Sequence, residues 1–532
     1  MKRNILTALI LLSVQFTFAQ DFFDALRYSQ TEYGGTARSI AMGSAFGALG
    51  SDFVSASINP AGMGLYRNGE FTLSPTLNLN QVESSYLGNS RLDDKYNFNF
   101  NNLSYVSTIK TGVESGIVSV TFGLGYNRLK NFNSNQIIQG QNAKTTLLSY
   151  FTDYANQAMD QNSFNYHYEG MAWNTWLIDK DENAIEGVYY NDLTDYTEYE
   201  VKDANGNYIG PGYSANDIFS NTQKSIVNKA GRIDEYAFST GINFNHKFFW
   251  GATLGLNDLE YIQNVTYSET VDKDQINKLK DFSLETNTHD SGFGVNLKTG
   301  FIFRPIKPLR IGLALHTPTF YSISRSEDKK LNANFEKEVG NSETGMSKTY
   351  TDQNDIYYNY KLETPVKAIV SAAYSLGEKA ILSADYEWVN YSTSKFRSAA
   401  NDHYDYSDHN ADINKLLNST SNIRVGGEYR VTPNISLRAG YNFIGNPWKS
   451  SYTFEDGVNL PIANKDDSFG SYSAGFGYRQ ESFFVDIAFR MNQYNYTQKV
   501  HEISTTNPTN GSALASMKEI NNQATITFGF RF

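Results

Sequence analysis

Three nine-residue stretches, Val118 to Tyr126, Ile435 to Phe443 and Ala524 to Phe532, alternate without a break between apolar residues and small or polar ones. A period of two is the pattern of a strand with one apolar face and one wet face. With 40% of the chain apolar, about one such window is expected by chance. Looser runs extend the pattern, among them Phe293/Val295/Leu297/Phe301/Phe303, Leu309/Ile311/Leu313/Leu315 and Phe483/Val485/Ile487/Phe489. Followed to the end of the chain, they give fourteen strands from about residue 70 to Phe532, including ones read at 308–325 and 359–377. Tight turns at Lys110 to Ser115, Phe249-Trp250, Pro305 to Lys307, Gly377-Glu378, Thr432-Pro433 and Gln480-Glu481 alternate with long gaps, the longest spanning residues 130–232.

That rhythm separates two all-β architectures. A soluble sandwich has no reason to keep its long loops at one end, whereas an outer-membrane barrel has short periplasmic turns, long outside loops and an even strand number. Unpaired backbone N–H and C=O groups are excluded from hydrocarbon, so a sheet in a membrane must close on itself. The expected fold is therefore all-β, a fourteen-stranded antiparallel transmembrane β-barrel over residues 69–532, with a long extracellular insertion at 130–232. Its apolar face looks out to lipid, and Gly, Ser, Thr, Asn and Arg line the lumen.

The N-terminus fits this address. Lys2-Arg3, an apolar run from Ile5 to Phe18 and Thr17-Phe18-Ala19 before Gln20 read as a cleaved signal peptide over residues 1–19. No later run of 18 apolar residues occurs, so the mature chain has no transmembrane helix. The expected location is the outer membrane of a Gram-negative bacterium. With 56 acidic against 45 basic residues there is no basic field to displace phosphate counterions, which excludes nucleic acid as a partner. The absence of cysteine removes disulfide scaffolds, Cys-ligated zinc and a lipidated N-terminal Cys. No nucleophile elbow, H-E-x-x-H or Walker loop is present, so the reading is of a non-enzyme without metal or cofactor.

Residues 20–68 do not alternate. They read as Gly-rich turns and short helices, a hatch or plug before the barrel. Thr36-Ala37-Arg38, then Ala41-Met42-Gly43-Ser44-Ala45-Phe46, Asp52 and Asn59-Pro60-Ala61-Gly62 resemble the hatch of FadL/TodX-type outer-membrane transporters of hydrophobic compounds. The resemblance continues through Arg310 to Pro318 and from Leu362-Glu-Thr-Pro365 to Asn390-Tyr391-Ser392. It implies a hatch inside the lumen, uptake of long-chain fatty acids or aromatic hydrocarbons, and a kinked early strand opening a lateral exit, for which Gly116, Gly123 and Gly125 are candidates. The terminal Phe528-Gly-Phe-Arg-Phe532 resembles the signal read by the barrel-assembly machinery.

Several residue sets become candidates on this reading. Asn59, Pro60, Ala61 and Gly62 are assigned to gating. Ile40, Met42, Phe46, Leu49, Phe53 and Ile58 are assigned to a hydrophobic ligand pocket, where each buried CH₂ is worth about 0.8 kcal/mol. By strand parity Asp385, Glu387, Arg424, Glu428, Arg430, Arg438, Asp486 and Arg490 point into the lumen, either as a pairing network or with Arg424, Arg438 or Arg490 meeting a ligand carboxylate. In the insertion, Leu147, Leu148, Phe151, Tyr154, Ala155 and Ala158 recur at helical spacing, as a helix burying one face or as an apolar landing site. The expected partners are a hydrophobic small-molecule ligand, outer-membrane lipid and the barrel-assembly machinery. Two alternatives stand beside transport: a non-transporting barrel that docks partners in surface-protein export, and a haemin receptor using His403 and His409.

Overall fold

The computed structural model describes residues 22–158, 160–180, 189–191, 193–202, 206, 208–218, 220–271, 279–336, 348–399, 404–449, 469–502 and 513–532. The expected signal peptide and His403 lie outside the described residues. The alternating stretches form one closed antiparallel sheet of fourteen walls. In chain order these are Glu70–Tyr86, Asn89–Lys110, Ile117–Asn131, Asn221–Phe244, Phe248–Val271, Leu279–Ile306, Leu309–His316 continued by Phe320–Phe335, Lys348–Glu363 continued by Lys367–Leu376, Ala380–Asn390, Ser419–Arg430, Ile435–Ile444, Phe469–Gln480, Phe483–Lys499 and Leu514–Arg531.

Closure is made by the first and last strands, paired from Glu70 with Arg531 to Ser85 with Ser516. Phe532 N–H donates to the Gly69 carbonyl at 3.1 Å, Gly69 N–H donates back at 3.0 Å, and the Phe532 ring stacks on Tyr105 at 5.7 Å. Along the last strand Phe528 and Phe530 are about half exposed, while Thr525 and Thr527 are buried. The exposed face is the apolar one, the inverse of a soluble sheet, because its solvent is lipid. A tilted strand crosses a bilayer in about 9–11 residues. Leu279–Ile306 has 28, so the wall rises far beyond the membrane on the side of the long loops.

Two expected strands are interrupted. The runs read at 308–325 and 359–377 break at Thr317-Pro318-Thr319 and at Thr364-Pro365-Val366, because proline has no N–H for the ladder. Thr319 and Thr364 seal the break: Thr364 N–H donates to the Thr319 carbonyl at 3.1 Å, and Thr319 N–H donates to Thr364 Oγ1 at 2.8 Å.

Within the insertion, Ser134–Ala143 pairs with the outer part of Asn221–Phe244, and the helical spacing is realised as Leu147–Ala158. Leu147, Leu148, Phe151 and Ala155 are buried against rim residues Val82, Tyr86, Phe282 and Phe335. Glu269 on the rim accepts the Leu147 N–H at 2.7 Å, placing a carboxylate at the helix N-terminus, where the macrodipole favours it.

The segment before the first strand fills the lumen with helices Phe22–Ser29, Ala37–Ala41 and Ser55–Ile58 and a 3₁₀ turn Pro60–Leu65. Two glycine pairs make room for it. Gly426 and Gly440 face each other on adjacent strands, and a Cβ on either would strike the backbone of Met42 and Gly43. Gly241 and Gly251 are likewise register partners, and a Cβ there would strike the backbone of Pro60 to Gly64. Because the obstructing atoms are main chain, no side chain can rotate away. Gly440→Val is therefore expected to displace the Met42–Gly43 turn and destabilise the hatch by about 1–3 kcal/mol, the usual range for overpacking. Limited proteolysis should then cut between residues 30 and 60 in a barrel whose heat-modifiable gel migration is unchanged. Gly470→Ala, whose Cβ would meet Tyr441 Oη at an ordinary 3.5 Å, is the matched control.

Candidate functional site: hatch, lumen cavity and wall gap

The hatch motifs work as caps and pins. Thr36 caps Ala37–Ala41 by accepting the Ser39 N–H and donates its hydroxyl to Asp52 at 2.6 Å, while Asp52 accepts the Val54 N–H at 3.1 Å. Asn59 begins the 3₁₀ turn: Oδ1 accepts the Ala61 N–H at 3.1 Å and Nδ2 donates to the Gly47 carbonyl at 2.6 Å. Pro60 occupies the first helical position, where a missing N–H costs nothing. A Cβ on Gly62 would meet the Ser55 side chain at 2.6–2.7 Å. Asn59, Pro60, Ala61 and Gly62 are thus brought together and buried, holding the two halves of the hatch to each other.

Six of the eight lumen charges named from parity fall into two ion-pair groups, each reaching the hatch. Arg424 lies 3.0 Å from Glu387 and 3.5 Å from Asp385. Its guanidinium sits over the Tyr33 ring at 5.0 Å, and Asp385 accepts the Gly47 N–H of the hatch at 3.0 Å. Arg438 joins Glu428 and Asp486, both at 2.6 Å, and Arg38 of the hatch reaches Glu428 at 3.0 Å. Arg430 is exposed at its strand end. Arg490 joins neither group: it is nine-tenths buried, and its Nε has no partner among the described residues.

A third group escaped the sequence reading. Arg325 bridges Asp24, at 2.7 Å, and Asp290, at 2.5 Å; Tyr28 donates to Asp290, and Arg27 lies over Tyr261 at 4.4 Å. This group ties helix Phe22–Ser29 to the wall. The available signal was the alternation of Phe320–Phe335, which puts Arg325 on the lumen side.

Above the hatch lies a cavity of about 310 Å³, bordered by helix Phe22–Ser29 through Phe23, Leu26 and Arg27 and by Lys229, Tyr261, Arg490 and Tyr494. Ile40, Met42, Phe46, Leu49, Phe53 and Ile58 do not line it. They are buried in the packing of the hatch itself, and Leu49 borders a separate space at the opposite end of the lumen. The cavity lining mixes aromatic rings with charged and amide groups.

Beside this cavity the wall is incomplete. Asn89–Lys110 pairs with Ile117–Asn131 only from Asn102 to Lys110. The register on the other side slips between Arg128 and Lys130, and the strand ends at Asn131. Gly231 opposite has φ +116°, and a Cβ there would strike the Glu260 carbonyl. An outward-facing hollow of about 740 Å³ occupies the gap, lined by Phe98, Phe100, Leu103, Tyr236 and Ile262. Arg128 and Asn133 border both this hollow and the lumen cavity. Gly123 and Gly125 lie further toward the short turns, against Phe53 and Met63 of the hatch, and Gly116 sits in a turn at φ +84°.

His409 lies in helix Ser407–Leu416 with its ring against Tyr404 and Tyr406. Among the described residues no group of three or more His, Cys, Asp or Glu is placed to hold a metal ion.

A closed fourteen-stranded barrel with a lipid-facing apolar surface and a hatch in its bore is an outer-membrane β-barrel. Residues 233–532, more than half of the chain, match the family model "Outer membrane protein transport protein (OMPP1/FadL/TodX)". The protein belongs to this family, and its class is outer-membrane transport of hydrophobic compounds. Among solved structures the chain is similar to a Pseudomonas aeruginosa FadL homologue, with 13% identity over 94% of this chain and 99% of that one and a TM-score of 0.51. It is also similar to the Pseudomonas putida toluene transporter TodX (12%, 95% and 100%, 0.49) and the Ralstonia pickettii toluene transporter TbuX (13%, 94% and 98%, 0.46). The first of these likenesses supports the fold. No curated protein matches the chain.

Proposed function

We propose that the protein takes up hydrophobic small molecules such as long-chain fatty acids, holds them above the hatch, and releases them sideways into the outer membrane through the gap beside Arg128. The observation that carries this reading is the shared border: Arg128 and Asn133 line both the lumen cavity and the lipid-facing hollow. An apolar solute leaving by that route enters lipid without crossing the aqueous periplasm. The lumen cavity is within the usual size range of ligand sites, about 300–1,000 Å³. Its open volume supports transport over a barrel that only docks partners in surface-protein export. The capping by Asn59 and Pro60 supports a gating role for the Asn59–Gly62 motif, since moving that turn would release Gly47 and the wall together. Recognition of the terminal Phe532 strand by the barrel-assembly machinery and delivery into outer-membrane lipid belong to the same proposal.

In the lining Arg27, Arg128, Lys130, Lys229 and Arg490 outnumber the carboxylates Glu32 and Glu519, which supports a ligand with an acidic head. Arg490 borders the cavity with no carboxylate partner among the described residues, and a forked guanidinium suits a carboxylate. A hydrogen bond to a charged group is worth about 1.5–3 kcal/mol, so Arg490→Gln is expected to weaken binding of a C16 fatty acid by roughly tenfold or more, leaving its methyl ester unaffected. Titration of both ligands against purified protein in detergent measures this. Equal losses for acid and ester would reduce Arg490 to a wall residue. Mass spectrometry of co-purified lipids, against a porin control, tests the pocket itself, and retention no greater than the control would remove it.

A further inference from the structure

The short-turn end of the lumen holds a second, larger space of about 840 Å³ beneath the hatch. Arg67, Lys110, Arg304, Arg310 and Arg479 all line it, and none of the five has a carboxylate partner among the described residues. The nearby acids are already engaged: Glu428 holds Arg38 and Arg438, and Glu70 holds Arg531 at 2.7 Å. Among the described residues no Asp or Glu lines the space. In a chain of net charge -11, this concentration of positive charge is an arrangement of the fold, not a reflection of composition.

We propose that this periplasmic vestibule is a binding site for a small, water-soluble anion carrying two or more phosphate or carboxylate groups. Five cations converging on one concave space repel one another, and low-dielectric walls focus their field on whatever enters. Guanidinium groups match phosphate and carboxylate oxygens two at a time. The alternation of the wall excludes a lipid headgroup. On the same strand ends Phe303, Ile306, Ile311 and Phe530 face the bilayer, while the cations border the bore. The volume fits a small molecule and is too small for a folded domain. A ligand here would touch wall and hatch together, because Arg310 donates to the Leu49 carbonyl of the hatch at 2.7 Å and Ser51 and Leu65 form part of the lining.

Calorimetric titration of the purified full chain at low salt, with tripolyphosphate and with citrate as the two probes, tests the site. Saturable binding of at least one probe is expected, and the tighter of the two identifies the preferred group. Arg304→Gln combined with Arg479→Gln should weaken it at least about tenfold, because two charge-assisted contacts are removed, while Lys395→Gln, exposed on the long-loop side of the barrel and outside both lumen spaces, should not change it. Absence of saturable binding, or equal affinity in the double variant, overturns the proposal. Should the double variant fail to fold, Arg67→Gln, exposed in the segment just before the first strand and outside the ladder, is expected to weaken binding about threefold, and unchanged affinity there overturns it equally. Neither readout depends on fatty-acid uptake, so this proposal and the transport reading fail separately.

Discussion

Arg424→Met is expected to destabilise the purified barrel by about 3–5 kcal/mol, the cost of leaving buried charges without their partner. Arg424 stands between Asp385 and Glu387, all three almost fully buried, and Asp385 also accepts the Gly47 N–H of the hatch. Removing the guanidinium leaves two carboxylates in one desolvated corner and takes away the cation over Tyr33. Reversible urea unfolding in lipid vesicles measures the loss. A triple variant, Arg424→Met with Asp385→Asn and Glu387→Gln, should recover most of it, since replacing every member of a buried ionic group is far cheaper than removing one. A loss below about 1 kcal/mol in the single variant would place the group in the class of weak, solvated pairs and remove it as the anchor between hatch and wall.

Asn133→Trp should have the larger effect on transport. Asn133 borders the cavity and the hollow alike, and an indole there fills the passage without entering the sheet, because residues 132 and 133 lie between strands. A steric barrier of about 1.4 kcal/mol lowers a rate tenfold, so uptake of labelled oleate by cells carrying the variant should fall by about tenfold or more. Affinity for oleate in detergent should stay within about twofold, since the change adds no more than a few tenths of a kcal/mol at the cavity edge. Full uptake with the passage filled would rule out the sideways route.

The lumen charges show how far parity carries and where it stops. Alternation along each strand is local, and it placed Arg424, Glu428, Arg438, Asp486 and Arg490 on one face. Which of them are paired depends on register between strands distant in sequence. Asp385 lies directly opposite Arg424 and Glu428 opposite Arg438. Arg490 faces Ser473 and Gln523, neither of them an acid. The hatch residues show the converse limit. Ile40, Met42, Phe46, Leu49, Phe53 and Ile58 are apolar, as a ligand pocket or a packed interior equally requires, and only the backbone path decides that they are the interior.

Period-two alternation, the rhythm of short and long connections, and the aromatic C-terminal strand are properties of neighbouring residues, so the amino-acid sequence alone determined a closed barrel with its apolar face to lipid. The cavity above the hatch, the opening beside Arg128 and the basic vestibule beneath were decided by the tertiary structure. Each arises where chain segments one hundred or more residues apart meet, or fail to meet, around a closed circumference, and no local pattern encodes that distance.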